Sequence, residues 1–262
     1  MKKSIAKKVV STLLVAVMGL MPAVNAYAEA SVNGRELEAM MEHYGSDYID
    51  ANLDAKTQQL VTLATMTALQ AYSQITDQTI TALESGVTPE EIKEAVYQAA
   101  PYCGYTKALS AMEAVDEAFA RKRISTVDSQ ATVTESNRYE KGLEVQRSIF
   151  GPEIGTITDD MAESQKVITE YLSGICFGDF YTRGTLDVQT RELLTLSVLA
   201  ANGGCESQLA SHTTANLSVG NTRDNMLAAI LLCVPYNGYP RTLNAMNTIN
   251  ASADAYEETS AE

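Results

Sequence analysis

What this chain of 262 residues lacks narrows its chemistry first. It has two histidines, His43 and His212, and no HxxE or HExxH spacing, so a dedicated metal site is not expected. Its four cysteines, Cys103, Cys176, Cys205 and Cys233, include no CxxC pair, which excludes a zinc ribbon and a thioredoxin-type motif. No useful run alternates apolar and polar residues with period two, so strands are not expected and the class is all-α. Basic residues are scarce: 19 stand against 33 acidic ones, a net charge of −14. That balance favours solubility and speaks against nucleic acid or an anionic membrane as partner.

The first 28 residues read as a secretory leader. Lys2, Lys3, Lys7 and Lys8 form a basic start, residues 9–20 an apolar core, and Ala26-Tyr27-Ala28 a small-x-small cleavage site before Glu29. The apolar part is short for a membrane span, and a polar, acidic sequence follows. With no Cys at the cleavage point, a lipoprotein is not expected. The mature chain is expected outside the cytoplasm, where its cysteines have the option of pairing. Without the four leader lysines it sets 15 basic groups against 33 acidic ones, a net of −18.

The remainder repeats itself. PYCGYTKALSAM at 101–112 returns as PYNGYPRTLNAM at 235–246, an offset of 134 residues. The same offset lays Gly86 on Gly220, Thr88 on Thr222, and Ile92, Ala95, Val96 and Ala99 on Met226, Ala229, Ile230 and Cys233. An offset one shorter pairs LDAKTQQL at 53–60 with LDVQTREL at 186–193. Duplication of one helical unit is the simplest origin. The first unit spans 29–124 and the second 138–250, with a Ser/Thr-rich linker at 125–137 and an acidic tail at 251–262 expected to fray. Within a unit, helices are expected near 55–71 and 73–84. A third starts at Thr88-Pro89-Glu90-Glu91, a capping-box signature, and Pro101 is expected to stop it. Ile92, Ala95, Val96 and Ala99 have the spacing of a buried stripe, so Cys233, at the place of Ala99, is expected to pack. Residues 138–150 read as an amphipathic helix ended by Gly151-Pro152, and a further helix is expected near 161–175.

Residues 186–212 hold the reactive groups. Asp187 is placed to cap a mostly apolar helix, and Asn202-Gly203-Gly204 breaks it. The next helix opens at Cys205, and at about 100° per residue Cys205, Gln208 and His212 share a face. A thiol in the first helical turn feels the positive end of the helix dipole, which favours thiolate. Imidazole exchanges protons near neutral pH. Glu192, on the preceding helix, has the option of folding back over the same face. The plain alternatives are that Cys205 is a small buried apolar residue and His212 a satisfied core histidine. The repeat serves as a control: Gln58-Gln59 stand at Arg191-Glu192, Asp50 at Arg183, Ala71 at Cys205 and Gln78 at His212. The earlier copy keeps the packing positions without the reactive side chains.

Together, FGDFYTRGTLDVQTREL, the helix from Cys205 to His212, PYNGYP and RYEKGLEVQRSIFG resemble the carboxymuconolactone decarboxylase-like family, which includes the alkyl hydroperoxidase D type. The resemblance covers nearly all of the mature chain as two tandem units. It implies an all-helical fold that assembles as homo-oligomers, trimers or hexamers, with sites near helix and subunit contacts. The hydroperoxidase branch uses a Glu, a CxxC and a His at the seventh position after the first Cys. Cys205 and His212 match the first Cys and the His, but Gln208 replaces the second Cys, so the usual disulfide cannot close on that helix. Cys103 or Cys176 would resolve only if its Cα came within about 7 Å. The decarboxylase branch keeps the His without the Cys pair. By resemblance His212 is then the acid/base, with Glu192 beside it and Arg183 binding a substrate carboxylate, and no cofactor is implied.

Three functions follow. The first is a cofactor-free, lyase-like enzyme acting on a small carboxylated or lactone substrate through His212. The second is a thiol peroxidase of peroxiredoxin type through Cys205, and the third a non-catalytic binding or scaffold protein. The namesake's own substrate is not assumed, since its breakdown is normally a cytoplasmic task and this chain is expected to be exported.

Overall fold

The computed structural model describes residues 34–125 and 128–260, and the leader expected at 1–28 lies outside them. The described residues form twelve α-helices and no strand, in two tandem units, as the sequence pattern implies.

In the first unit α1 (Arg35–Met41) and α2 (Asp47–Asn52) lead into α3 (Ala55–Leu69), α4 (Tyr72–Glu84), α5 (Pro89–Cys103) and α6 (Tyr105–Arg121). In the second, α7 (Arg138–Phe150) and α8 (Glu163–Tyr171) precede α9 (Val188–Asn202), α10 (Glu206–Ser218), α11 (Arg223–Leu232) and α12 (Val234–Ser260). Equivalent residues start equivalent helices. Asp54 and Asp187 accept hydrogen bonds from the backbone N–H groups of Thr57 and Thr190. Thr88 and Thr222 cap α5 and α11, each answered by a side chain at the third helical position, Glu91 or Asn225. Such caps satisfy N–H groups the helix itself leaves unpaired, each worth about 1 kcal/mol.

The core lies where α3 of the first unit packs on α9 of the second. Both helices are buried nearly all round, over 58–68 and 191–201. Leu63, Leu194 and Leu196 are wholly enclosed, each contributing roughly 1.5–3 kcal/mol by leaving water. The two units also exchange helices: α5 packs on α9, and α11 packs on α2 and α3. The units therefore share one hydrophobic cluster. The stripe Ile92, Ala95, Val96, Ala99 is fully buried, as is its copy ending in Cys233, whose thiol lies 3.1 Å from the Thr65 hydroxyl.

Three expectations need correction. Pro101 does not stop α5, which runs on to Cys103. The ring sits in the last turn, where little of the hydrogen-bond ladder remains to be lost, and Gly104 (φ +101°) makes the break. In the second unit Gly238 (φ +71°) breaks α12 at the matching place. The acidic tail does not fray after residue 251, because α12 continues to Ser260. There Ala253 is buried, and Arg223 bonds Asp254 at 2.6 Å and Glu257 at 3.1 Å. Finally, the helix expected near 161–175 passes from α8 into a wider, π-type turn over Leu172–Tyr181, so FGDFY is helical.

That π segment is held by α7 at very short range. A Cβ on Gly142 would overlap the Ser173 carbonyl and the Gly178 backbone, and one on Gly178 would overlap the Arg138 carbonyl. Only glycine permits this approach, which sets where Tyr181 projects. Among the described residues no helix is long and apolar enough to cross a membrane.

Candidate active site

Glu192 sits in the first turns of α9, wholly buried, and faces α10 across the break at Gly203-Gly204, both glycines having positive φ. Its Oε2 lies 2.7 Å from Nδ1 of His212, and its Oε1 accepts a 2.7 Å hydrogen bond from the Tyr181 hydroxyl. A carboxylate only accepts, so Nδ1 carries a proton toward Glu192, and Nε2 is the ring nitrogen left for proton exchange. His212 is 7% exposed. The rings of Tyr102 and Phe150 meet its imidazole edge-on, each centroid 5.3 Å away. Asn216 ties the two helices by donating to the carbonyls of Glu192 and His212.

Behind Glu192 runs a directed chain of hydrogen bonds. Tyr181 spends its one proton on Glu192, so its neighbours donate to it: Thr195 at 3.0 Å and Tyr102 at 2.9 Å. Gln98 Nε2 donates to Thr195 at 3.0 Å, and Gln98 Oε1 accepts from Arg191 at 3.0 Å. The Cys176 thiol donates to Tyr102 at 3.6 Å. Burial, then the Glu192 carboxylate, holds the Tyr181 phenol well above its ordinary range. Burial, then Cys176, does the same to Tyr102. Both therefore remain neutral donors.

Arg191, Arg183 and Glu94 close the far end. Arg191 is fully buried and donates to Glu94 at 3.0 Å and to the carbonyls of Leu186, Arg183 and Gly184. Burial lowers its guanidinium from the ordinary value, and Glu94 works against that. Arg183 donates from Nε to both Glu94 oxygens, at 2.9 and 3.0 Å, and lies 4.8 Å from the centre of the Tyr97 ring. Arg183 thus reaches Glu192 through this chain, and it shares the one Glu94 carboxylate with Arg191. Among the described residues no grouping of three or more His, Cys, Asp and Glu is placed to hold a metal ion.

Cys205 stands apart from the dyad. It is the N-cap of α10 rather than part of its first turn, and its thiol donates to the Leu199 carbonyl at 3.3 Å. Burial, then the neighbouring Glu206 carboxylate, raises the thiol above its ordinary value, the reverse of the thiolate expected from a helix dipole. Seven residues of helix put His212 about 10 Å further along the axis. Between them Gln208 is exposed to solvent. Cys205 instead borders a pocket of about 250 Å³ with Gly203, Gly204 and Arg241, in which neither Glu192 nor His212 takes part. All four cysteines are free thiols.

The first unit holds the neutral counterpart of the dyad. Gln78 Nε2 donates to Gln59 Oε1 at 2.6 Å, at the positions of His212 and Glu192. Gln58, at the position of Arg191, donates to the Leu53 carbonyl as Arg191 does to that of Leu186. Tyr48, at the position of Tyr181, is instead exposed and bonds Asp224 at 2.8 Å.

Sequence reasoning missed Glu94, Gln98, Tyr102, Tyr181 and Thr195. Three of them lie on α5 of the other unit and reach the site only through the exchange of helices. A signal was present: Glu94 and Gln98, four residues apart on one face of α5, stand opposite the apolar Ala228 and Leu232 in the repeat.

Comparison with known proteins agrees with the duplication. The model of the carboxymuconolactone decarboxylase family matches residues 35–117 and again residues 168–251. A 4-carboxymuconolactone decarboxylase from Acinetobacter baylyi is 29% identical over 116 residues, which cover 44% of this chain and 86% of that relative.

Proposed function

This chain belongs to the carboxymuconolactone decarboxylase family, and from that premise we propose that it is a cofactor-free, lyase-like enzyme using His212 as acid/base on a small carboxylated or lactone substrate. The observation that carries this reading is the buried His212–Glu192 pair at 2.7 Å, set against the neutral Gln78–Gln59 pair in the other copy. A fold that needed only filling would accept the neutral pair at both places. The second copy instead holds a base and a carboxylate that orients it.

In decarboxylation the C–C electron pair left by CO₂ passes into a conjugated acceptor, and the resulting carbanion or enolate takes one proton. Nε2 of a protonated His212 supplies that proton at carbon. Glu192 holds the ring through Nδ1–H and balances the imidazolium, and Tyr181 fixes the second carboxylate oxygen. Proton inventory is conserved: the carboxylate and one proton become CO₂ and the C–H product. Tyr102 and Phe150 border the imidazole edge-on. Arg183, expected to bind the substrate carboxylate, donates its Nε to Glu94 and reaches Glu192 only through the hydrogen-bond chain, so we give it a positioning role.

The test is CO₂ release from a panel of small lactone acids by wild type and His212→Ala. Turnover that His212→Ala lowers by about 10²-fold or more is expected. Turnover equal in both proteins, or none in the wild type, refutes the reading.

The leader expected at 1–28 supports action outside the cytoplasm. The exposed apolar stripe of α8, running from Ile168 (62% exposed) to Tyr171 (57%) and on to Leu172, supports assembly of homo-oligomers. Sedimentation of Ile168→Asp checks this, with a shift to single chains expected.

A further inference from the structure

Outside the site just described, a cleft of about 820 Å³ opens between α5 and α6 of the first unit, with Phe180 of the π segment in its wall. It shares no residue with the chain running from Arg183 to His212. Its size falls within the roughly 300–1,000 Å³ of small-molecule sites. The wall is apolar and aromatic. Ala100, Ala108 and Phe119 are buried in it, Tyr105 meets Phe180 edge-on at 5.8 Å, and Leu109 stands 66% exposed at its side.

The charge at this cleft runs against that of the protein. The chain carries −14, yet the lining includes two cations, Lys93 and Arg123, against one acid, Asp116. Lys93 lies 5.5 Å from the centre of the Tyr97 ring, which Arg183 also approaches. The repeat again serves as a control. Leu227 and Leu231 stand at the positions of Lys93 and Tyr97, and Glu257 at that of Arg123. Glu257 is tied with Asp254 to Arg223, on a helix that runs straight on to Ser260. In the first unit the helix ends at Arg121, and Arg123 adopts a left-handed conformation (φ +61°) that leaves it bordering the cleft. The cations belong to one copy and to one groove.

We propose that this cleft binds a small amphipathic organic acid. Its apolar body lies along Tyr97, Tyr105, Leu109 and Phe180, and its carboxylate faces Lys93 and Arg123. A compact apolar wall ending in two cations matches that ligand, and a neutral or cationic one would forgo the charge pairing.

Titration calorimetry of the full chain with octanoate and 2-naphthoate, and with octanamide as the uncharged control, tests it. At least one acid is expected to bind, and octanamide about fivefold or more weakly. Arg123→Gln is expected to weaken the acid about fivefold, and Leu109→Asp, at an exposed position that leaves the fold intact, about tenfold or more. His212→Ala is expected to bind the acid as the wild type does, so loss of the acid/base reading and loss of this one are told apart. No binding up to about 5 mM, or equal affinity in Arg123→Gln and Leu109→Asp, overturns the proposal. So does self-association that Leu109→Asp abolishes without any acid binding, since the groove is then a contact between copies of the chain.

Discussion

Glu192→Gln isolates what one buried charge does for this molecule. The amide has the size of the carboxylate and is the group the first copy already uses at Gln59. The Gln oxygen still accepts from Tyr181, but the NH₂ now faces Nδ1 of His212 and forces that nitrogen to accept. The imidazole then carries its proton on Nε2 and accepts at Nδ1, so the imidazolium that the proton transfer needs loses both its Nδ1–H acceptor and its counter-ion. General acid–base catalysis is worth about 10²–10⁴-fold. A fall in kcat of that size is therefore expected, equal to about 3–5 kcal/mol of barrier. Stability should move much less. Two hydrogen bonds to a charged acceptor, each about 1.5–3 kcal/mol, become neutral ones of about 0.5–1.5 kcal/mol. Against that, a buried charge no longer has to be desolvated. A net change within about 2 kcal/mol is expected from urea unfolding. The double variant Glu192→Gln/His212→Gln rebuilds the pair found at Gln59 and Gln78. It should be at least as stable as the single variant, and inactive. Activity of Glu192→Gln within about threefold of wild type would refute the orienting role. So would a loss of stability large enough to account for a loss of activity.

Two further predictions concern the surroundings of this pair. Glu94→Gln leaves the guanidinium groups of Arg183 and Arg191 buried without their carboxylate and should cost about 3–5 kcal/mol in urea unfolding, whereas a cost under about 1 kcal/mol would show that the cluster is not electrostatically coupled. Burial pushes the thiols of Cys176 and Cys233 up to about 12 and that of Cys103 up to about 11, the last against the pull of Lys107. Cys205 is raised as well, by burial and Glu206. Since only the thiolate reacts, the native protein at pH 8 should alkylate more slowly than free cysteine at all four positions. A fast-reacting Cys205 mapped by mass spectrometry would restore the peroxidase reading.

How much the chain disclosed depended on whether the information was local. Asp187 and Thr88 announce helix starts because a cap needs only its own next three residues, and Gly203-Gly204 announces a stop because positive φ is a property of the residue itself. The tandem units and the all-α class were open to inspection for the same reason. Pro101 misled, since the effect of a proline depends on how much helix remains beyond it, which here is a single turn. The tail misled as well, because Ala253 and the ion pairs of Arg223 come from packing that composition does not record. Glu192 and His212, singled out by comparing the two copies, do meet at 2.7 Å, whereas Cys205 borders a separate pocket: sharing a helical face two turns apart is not sharing a pocket.

By itself, then, the order of residues set which helices form, that they form twice, and which copy carries acid/base groups. Only the folded chain decided who surrounds them. Glu94, Gln98 and Tyr102 lie 90 residues or more before the side chains they serve in Arg191, Thr195 and His212, and meet them because the units exchange α5 and α11 across the shared core. Tyr181 reaches Glu192 because two glycines let α7 and the π segment touch backbone to backbone. These are contacts through space between segments with no common local pattern, and burial, by making every unpaired polar atom costly, selected the one arrangement in which the chain of donors ends on Glu192.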